Sequence, residues 1–351
     1  MRAMVLSEYG KPLEERGVPD RAPGPNEVLI EVEAAALCAS DVHAQAGGYA
    51  QSAGRFPALA PPILLGHQIA GRVLQCGAEV QSVKAGELCV VFCYLYCGSC
   101  FRCLSGRQNL CERIAKRIGF EVEGGFAERV VVPEHNAFPI PSDVVPAEAA
   151  VLPDAVSTSY HGVVTRGRIK HDEKVLILGT GALGLYAVRL SALRGAQVVG
   201  VDRADDERLE WARRFGARKT LAWRSGISPE SFVGELRKAV DTDVDVVVDL
   251  VGSSATLSVA AELLRPKGRL VTIGVSARGS YPARMLAQKS IRVLGSLAST
   301  PADLLSVLDL HRRGQIQPLI SDTLSLSEVN DGFEALQQGS VVGRLVVLPG
   351  R

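Results

Sequence analysis

At 351 residues the chain exceeds the length at which one hydrophobic core usually stops growing, so two domains are expected. Hydrophobic residues at 47% and charged residues at 22% make an ordinary globular composition. The 39 basic and 38 acidic residues leave a net charge of +1 with no basic stripe to track a phosphate backbone, so nucleic acid is not an expected partner.

In chain order, MRAMVLSEYGKP at residues 1–12 lacks the long apolar centre of a signal peptide. No apolar run approaches the roughly 20 residues that span a bilayer. A cytoplasmic protein away from membranes is expected. Over the first 150 residues, short β-type runs (EVLIEVEAAAL, IAGRVLQC, ELCVVF, FAERVVVP) alternate with Gly and Pro, which reads as an antiparallel or mixed β domain. Cys38 in ALCASDVH and His67 in LLGHQIAG are candidate metal ligands within it. Between them, residues 44–62 are rich in Gly, Ala and Pro without periodicity and read as an irregular surface loop. That loop and FCYLY at residues 92–96 flank the candidate ligands, and Tyr49, Phe56, Tyr94 and Leu95 would give a substrate cleft an apolar wall. Arg55 either recognises an acidic substrate or is solvated.

Cys97, Cys100, Cys103 and Cys111 follow in CGSCFRCLSGRQNLC. Thiolates two residues apart turn back onto a common centre, and the fourth, eight residues on, closes an all-sulfur shell with no open position, as in a structural zinc site. Disulfides suit short secreted chains instead. Cys76 and Cys89, in or beside apolar runs, read as small buried hydrophobes. Asp154 in VLPDAVSTSYHG is a third ligand candidate: one sulfur, one nitrogen and one carboxylate oxygen make a zinc site whose fourth position stays open. Taken singly, Cys38 reads equally as a buried thiol, His67 as a core histidine and Asp154 as a helix N-cap.

After about residue 165 the texture becomes strand, glycine turn, helix, repeated, from KVLILG through DVDVVVDL to GRLVTIG, the pattern of a doubly wound parallel sheet. In VLILGTGALG, Gly179, Gly181 and Gly184, with Ala182 and Leu183 between the last two, form G-x-G-x-x-G after a strand and at the start of a helix. Such a turn cradles a pyrophosphate at a helix N-terminus. Asp202 ends the next strand 18 residues beyond Gly184, where a carboxylate binds a ribose 2′-hydroxyl and repels a 2′-phosphate, favouring NAD over NADP. Arg203 beside it either stacks on adenine, partly neutralises Asp202 or is a solvated charge. From about residue 294 the tail returns to mixed β and helix character. KSIRVLGSL, near the end of the second domain, is either a buried strand or one that pairs with a second copy.

The four-cysteine lobe, Cys38-x-Ser40-Asp41, Gly66-His67 and the glycine turn together resemble the zinc-containing medium-chain dehydrogenase/reductase family, the zinc alcohol dehydrogenases, over the whole chain. The resemblance implies an α/β fold in which a GroES-like β domain (residues 1–155 and 294–351, with the cysteine lobe at 94–113) receives a Rossmann NAD-binding domain (156–293) as an insertion. It implies two zinc ions per chain: a catalytic one on Cys38, His67 and Asp154, and a structural one on Cys97, Cys100, Cys103 and Cys111. It implies further that Ser40 and His43 pass a proton to solvent by way of a ribose hydroxyl, that Thr158 lies near the nicotinamide and that Arg344 contacts the cofactor pyrophosphate. Hydride would pass between a hydrophobic primary or secondary alcohol and NAD, giving the aldehyde or ketone, in a homodimer or homotetramer. A polyol or sugar dehydrogenase is the alternative within the family, and a non-catalytic dinucleotide-binding protein the alternative outside it. Position 68 is Gln where the family commonly has Glu, which removes a negative charge beside the metal and is expected to ease ionisation of a bound alcohol.

Overall fold

EVLIEVEAAA alternates in the manner of a half-buried strand, and Glu27–Ala36 is the long strand around which the first β-sheet is built, with Val28, Ile30, Val32 and Ala34 inward. The computed structural model describes residues 1–51, 56–203, 206–240, 243–274 and 279–351. They divide into two compact units, Met1–Asp154 with Thr300–Arg351, and Ala155–Ser299.

In the first unit a seven-stranded sheet runs Ile320–Leu324, Arg344–Val347, Glu27–Ala36, Gln68–Cys76, Leu88–Val91, Ala137–Pro139, with Arg129–Pro133 also paired to Glu27–Ala36. A smaller sheet joins Glu14–Gly17, Arg2–Leu6 and Ile63–Leu64. Register positions the chemistry. Ala36 lies opposite Gln68 on one side and opposite Val346 on the other, both antiparallel. Continued past the strand end, confirmed by the Leu37 N–H donating to the Leu345 carbonyl at 2.9 Å, this register sets Cys38, His67 and Arg344 at one end of three adjacent strands. Beneath them lies an apolar core containing Ile30, Leu37, Leu65, Ile69, Val91 and Phe126.

The second unit holds six parallel strands in the order Lys219–Ala222, Gln197–Asp202, Lys174–Leu178, Val244–Asp249, Leu264–Thr272, Arg292–Gly295. Order reverses between Lys174–Leu178 and Val244–Asp249, the switch point at which such sheets bind ligands beyond their strand ends. The central strand VDVVVD is nearly all buried, as a strand covered on both faces must be. The unit boundaries fall at 154/155 and 299/300. The later junction arises because Arg292–Gly295 pairs in register with Arg269–Thr272 and so belongs to the parallel sheet. That strand ends the sheet and is largely exposed, so it is not a buried internal strand.

Candidate active site and metal centres

The cysteine lobe folds around the short helix Phe101–Leu104 and the 3-10 turn Gln108–Leu110. The four sulfurs of Cys97, Cys100, Cys103 and Cys111 lie within 4.8 Å of one another. Measured separations are 3.5 Å for Cys100–Cys103 and 3.9 Å for both Cys100–Cys111 and Cys97–Cys103. A tetrahedron with metal–sulfur bonds of about 2.3 Å has edges of about 3.8 Å, so the set fits one zinc ion with no position open. All eight cysteines are free thiols, which removes the disulfide alternative. Backbone N–H groups aim at the sulfurs: Cys100 N–H at Cys97 Sγ (3.3 Å), and those of Cys97 and Ile114 at Cys111 Sγ (3.4 Å each). Backbone donors, that of Ser99 foremost, hold the Cys97 thiol below its ordinary range and so favour the thiolate a metal requires.

At the strand ends, one oxygen or nitrogen or sulfur each from Cys38, His67 and Asp154 also lies within 4.8 Å of the others. His67 Nε2 is 3.6 Å from Asp154 Oδ2, and Cys38 Sγ is 4.0 Å from the same oxygen. Asp154 is not a helix N-cap: it stands in a π-helical turn, Leu152–Val156, that follows the helix Pro146–Val151. Such turns re-aim a side chain that regular helix would carry elsewhere, and they recur at functional sites.

Asp41, fully buried, organises the pair from behind. One of its oxygens accepts the Cys38 backbone N–H at 3.0 Å, and the other lies 3.0 Å from His67 Nδ1. With Nδ1 committed to the carboxylate, Nε2 faces the cluster, the arrangement usual for a metal-binding histidine. Burial disfavours a charged His67, yet Asp41 and the hydrogen bonds to Asp154, Asp41 and Cys38 outweigh it and hold its pKa well above the ordinary value. Burial likewise raises Cys38, but the Arg344 cation and His67 lower it more, so the thiolate is favoured. A pocket that draws a proton this strongly between anionic partners suits a divalent cation in its place. Arg344 Nη2 sits 3.5 Å from Asp154 Oδ2, which puts this arginine against a candidate metal ligand.

Ser40 and His43 lie on the short helix Ala39–Gln45 that begins after Cys38. Ser40 Oγ is 3.7 Å from Cys38 Sγ. The exposed His43 ring meets the Tyr49 ring edge-on at 4.8 Å. Tyr49 continues to Phe120 (5.6 Å), and Phe120 tilts against the His67 ring at 4.9 Å. The Arg117 guanidinium lies 4.3 Å from the ring centroids of both Phe56 and Phe120, its charge matched by Glu121 at 2.6 Å in a nearly buried pair. Phe56 also meets Tyr94 at 5.8 Å. The wall beside His67 is therefore aromatic. Gln68 is fully buried, and neither its Oε1 nor its Nε2 has a hydrogen-bond partner among the described residues. Arg55 lies outside the described residues.

In the second unit, Gly179 takes a left-handed φ of +90°, which the turn out of Lys174–Leu178 demands. A Cβ on Gly184 would stand 1.9 Å from the Gly179 carbonyl oxygen, whereas one on Gly181 would meet open space. Ala182 opens the helix Ala182–Leu193, with Leu183 in its first turn. Asp202 Oδ2 accepts both the Thr180 N–H (2.7 Å) and the Thr180 hydroxyl (2.9 Å). Arg203 donates its backbone N–H to Oδ1 (2.8 Å) and is exposed, while Arg208 brings a side-chain cation to 4.0 Å from that oxygen. Thr158 is buried in the helical turn Ser157–Tyr160.

Sequence reading gave no role to Asp41, Phe120, Arg117, Thr180 or Arg208. Only Asp41 carried a local signal, three residues after Cys38 at the start of a helix.

Residues 24–142 match the alcohol dehydrogenase GroES-like domain, and residues 182–313 the zinc-binding dehydrogenase domain. The chain is 33% identical to an NAD-dependent alcohol dehydrogenase of Saccharolobus solfataricus, over 99% of this chain and 100% of that one. It superimposes on the alcohol dehydrogenase of the hyperthermophilic archaeon Aeropyrum pernix with a TM-score of 0.91 at 28% identity, covering 99% of this chain and 100% of the other. A cobalt- and zinc-bound thermostable alcohol dehydrogenase from Pyrobaculum aerophilum gives a TM-score of 0.87 at 31% identity, with 99% of each chain covered.

Proposed function

The chain belongs to the zinc-containing medium-chain dehydrogenase/reductase family, and from that premise we propose a zinc-dependent oxidoreductase that transfers hydride between a hydrophobic alcohol and NAD. The observation that carries this reading is the convergence of Cys38, His67 and Asp154 at one end of the sheet, a donor set of one sulfur, one nitrogen and one carboxylate oxygen that favours a cation. Cys38, His67 and Asp154 would hold a zinc ion there, which would supply Lewis-acid polarisation of a hydroxyl or carbonyl oxygen, and a bound nicotinamide would supply the hydride chemistry.

The chain's own residues do the rest. Asp41 keeps His67 in the tautomer that presents Nε2. Arg344 balances the charge of Asp154, so the cluster is not left strongly anionic. Ser40, beside Cys38, receives the substrate proton and passes its own by way of a ribose hydroxyl to His43, which stands exposed on the same helix and delivers a proton to water. Asp202 binds the adenosine ribose, and the turn from Gly179 to Gly184 cradles the pyrophosphate. The rings of Tyr49, Phe56, Tyr94 and Phe120 exclude water and prefer an apolar substrate, since Arg117, the cation that lies over three of them, is already matched by Glu121.

Two further parts of the reading have physical support. Arg292–Gly295 ends its sheet with Val293 partly exposed, and such an edge pairs readily with a second copy in a homo-oligomer. Eight unpaired thiols suit the reducing cytoplasm, and among the described residues no helix is long and apolar enough to cross a membrane.

The test is a rise in NADH absorbance when zinc-loaded protein and NAD meet a hydrophobic secondary alcohol, set against a sugar alcohol of similar size. A kcat/KM at least about tenfold higher for the hydrophobic alcohol is expected, corresponding to one or two extra methylenes buried in the pocket. Preference for the sugar alcohol would reassign the substrate class, and NAD binding with no turnover of any alcohol would favour a binding protein.

A further inference from the structure

Thr180, the residue between the first two glycines of the turn, makes contacts that a mere spacer would not. It is fully buried, and both its backbone N–H and its hydroxyl donate to the same oxygen of Asp202, Oδ2, at 2.7 and 2.9 Å. The ionised carboxylate has no proton to give, so the threonine hydroxyl must be the donor. On the other oxygen the Arg203 N–H donates at 2.8 Å. A carboxylate offers about four acceptor positions, and among the described residues three are taken by these donors, which leaves one on Oδ1 for an incoming hydroxyl, with Arg208 Nη1 beyond hydrogen-bond reach of that oxygen at 4.0 Å.

The threonine rotamer is itself fixed by a neighbour. Its methyl Cγ2 lies over Gly200 in the adjacent strand, where a Cβ would stand 3.3 Å from it, tighter than most real contacts. Gly200 thus makes room for the methyl. With the methyl seated there, the hydroxyl is directed at Asp202. The result is a rigid carboxylate whose plane does not turn when a nucleotide arrives, so little ordering remains to be done on binding.

Resting on the reading of Asp202 as the ribose-binding residue, we propose that Thr180 is a positioning residue that sets the choice between NAD and NADP. Held in place, the carboxylate offers one free acceptor position to a 2′-hydroxyl and cannot swing away from a 2′-phosphate. Released, it loses alignment with the hydroxyl and gains freedom to retreat from the phosphate. Removal of the brace therefore weakens NAD and spares or helps NADP, which a general collapse of the turn cannot do.

Isothermal titration of the metal-replete protein with NAD and with NADP, in the unaltered chain and in Thr180→Val, reads this directly. The expected result is an NAD Kd raised about tenfold, the loss typical of one hydrogen bond to a charged group, with the NADP Kd within about twofold of its starting value or lower. Thr180→Ala, which removes the hydroxyl without adding a methyl, gives the same narrowing of preference should the valine variant not fold. Thr180→Ser restores at least half of it. Equal losses for the two nucleotides, or no change in either, would overturn the assignment while leaving NAD use intact. Failure of the unaltered protein to bind NAD would overturn the cofactor reading and this one with it.

Discussion

Gln68 places an amide with no hydrogen-bond partner among the described residues one position after His67, whose own ring is committed to Asp41. Leaving such a group unsatisfied costs on the order of 1–3 kcal/mol, and an apolar side chain of similar shape avoids that cost. Gln68→Leu should therefore raise the melting temperature by a few degrees, about 2–4 °C per kcal/mol at this size, as measured by differential scanning calorimetry. The same variant should lower kcat/KM at least about fivefold, because an unpaired amide beside the metal cluster persists only where function uses it. A lower melting temperature would show that the amide has a partner. At this scale the sequence was legible for residue types and silent on orientation. Cys38, His67 and Asp154 each had an unremarkable alternative, and the roles of Asp41 and Thr180 depend on hydrogen bonds that no spacing encodes. Arg344 shows the same limit: its contact with Asp154 follows from strand register, across 190 residues of chain.

Among the elements, the lobe of Cys97, Cys100, Cys103 and Cys111 has little regular structure, one four-residue helix and a 3-10 turn, and turns the apolar side chains of Phe101 and Leu104 largely outward. Its interior is a small cluster of three buried cysteines with Tyr96, Cys97 and Ile114 against it, too little apolar material to hold a loop without a metal. Cys100→Ser should accordingly reduce bound zinc from two ions per chain towards one, measured by atomic emission, and should make the lobe a preferred site of limited proteolysis. Full zinc content and intact proteolytic resistance would defeat the assignment. This element was the easiest to read from sequence, since metal-ligand spacing is local. The parallel sheet was legible for a related reason, each strand and its helix being adjacent in the chain. Element ends were less so: Arg292–Gly295 belongs to the parallel sheet by pairing with Leu264–Thr272, a partner that its own composition does not name.

At the scale of the molecule, the exposed edge at Arg292–Gly295 predicts an oligomer that a single charge can weaken. Val293→Lys places an ammonium where a second strand would lie and should shift the mass measured by light scattering towards the monomer, with NAD binding retained. An unchanged mass would place the interface elsewhere. Domain organisation was legible from the return of β texture near the C-terminus, although the sequence could not say which strand that tail would join. It joins at the centre: Arg344–Val347 lies between Ile320–Leu324 and Glu27–Ala36. That placement has a consequence for synthesis. The unit Ala155–Ser299 is one continuous stretch and can fold as soon as it leaves the ribosome, whereas the sheet that carries Cys38 and His67, closed over Glu27–Glu31 by Arg129–Pro133, leaves Ala35 and Ala36 unpaired on that same side until Arg344–Val347 is made. Until then the end of Glu27–Ala36 next to Cys38 has one open side, so the interval before Arg344–Val347 arrives leaves the ligand end of the sheet exposed to pairing with another chain and to capture of the wrong metal.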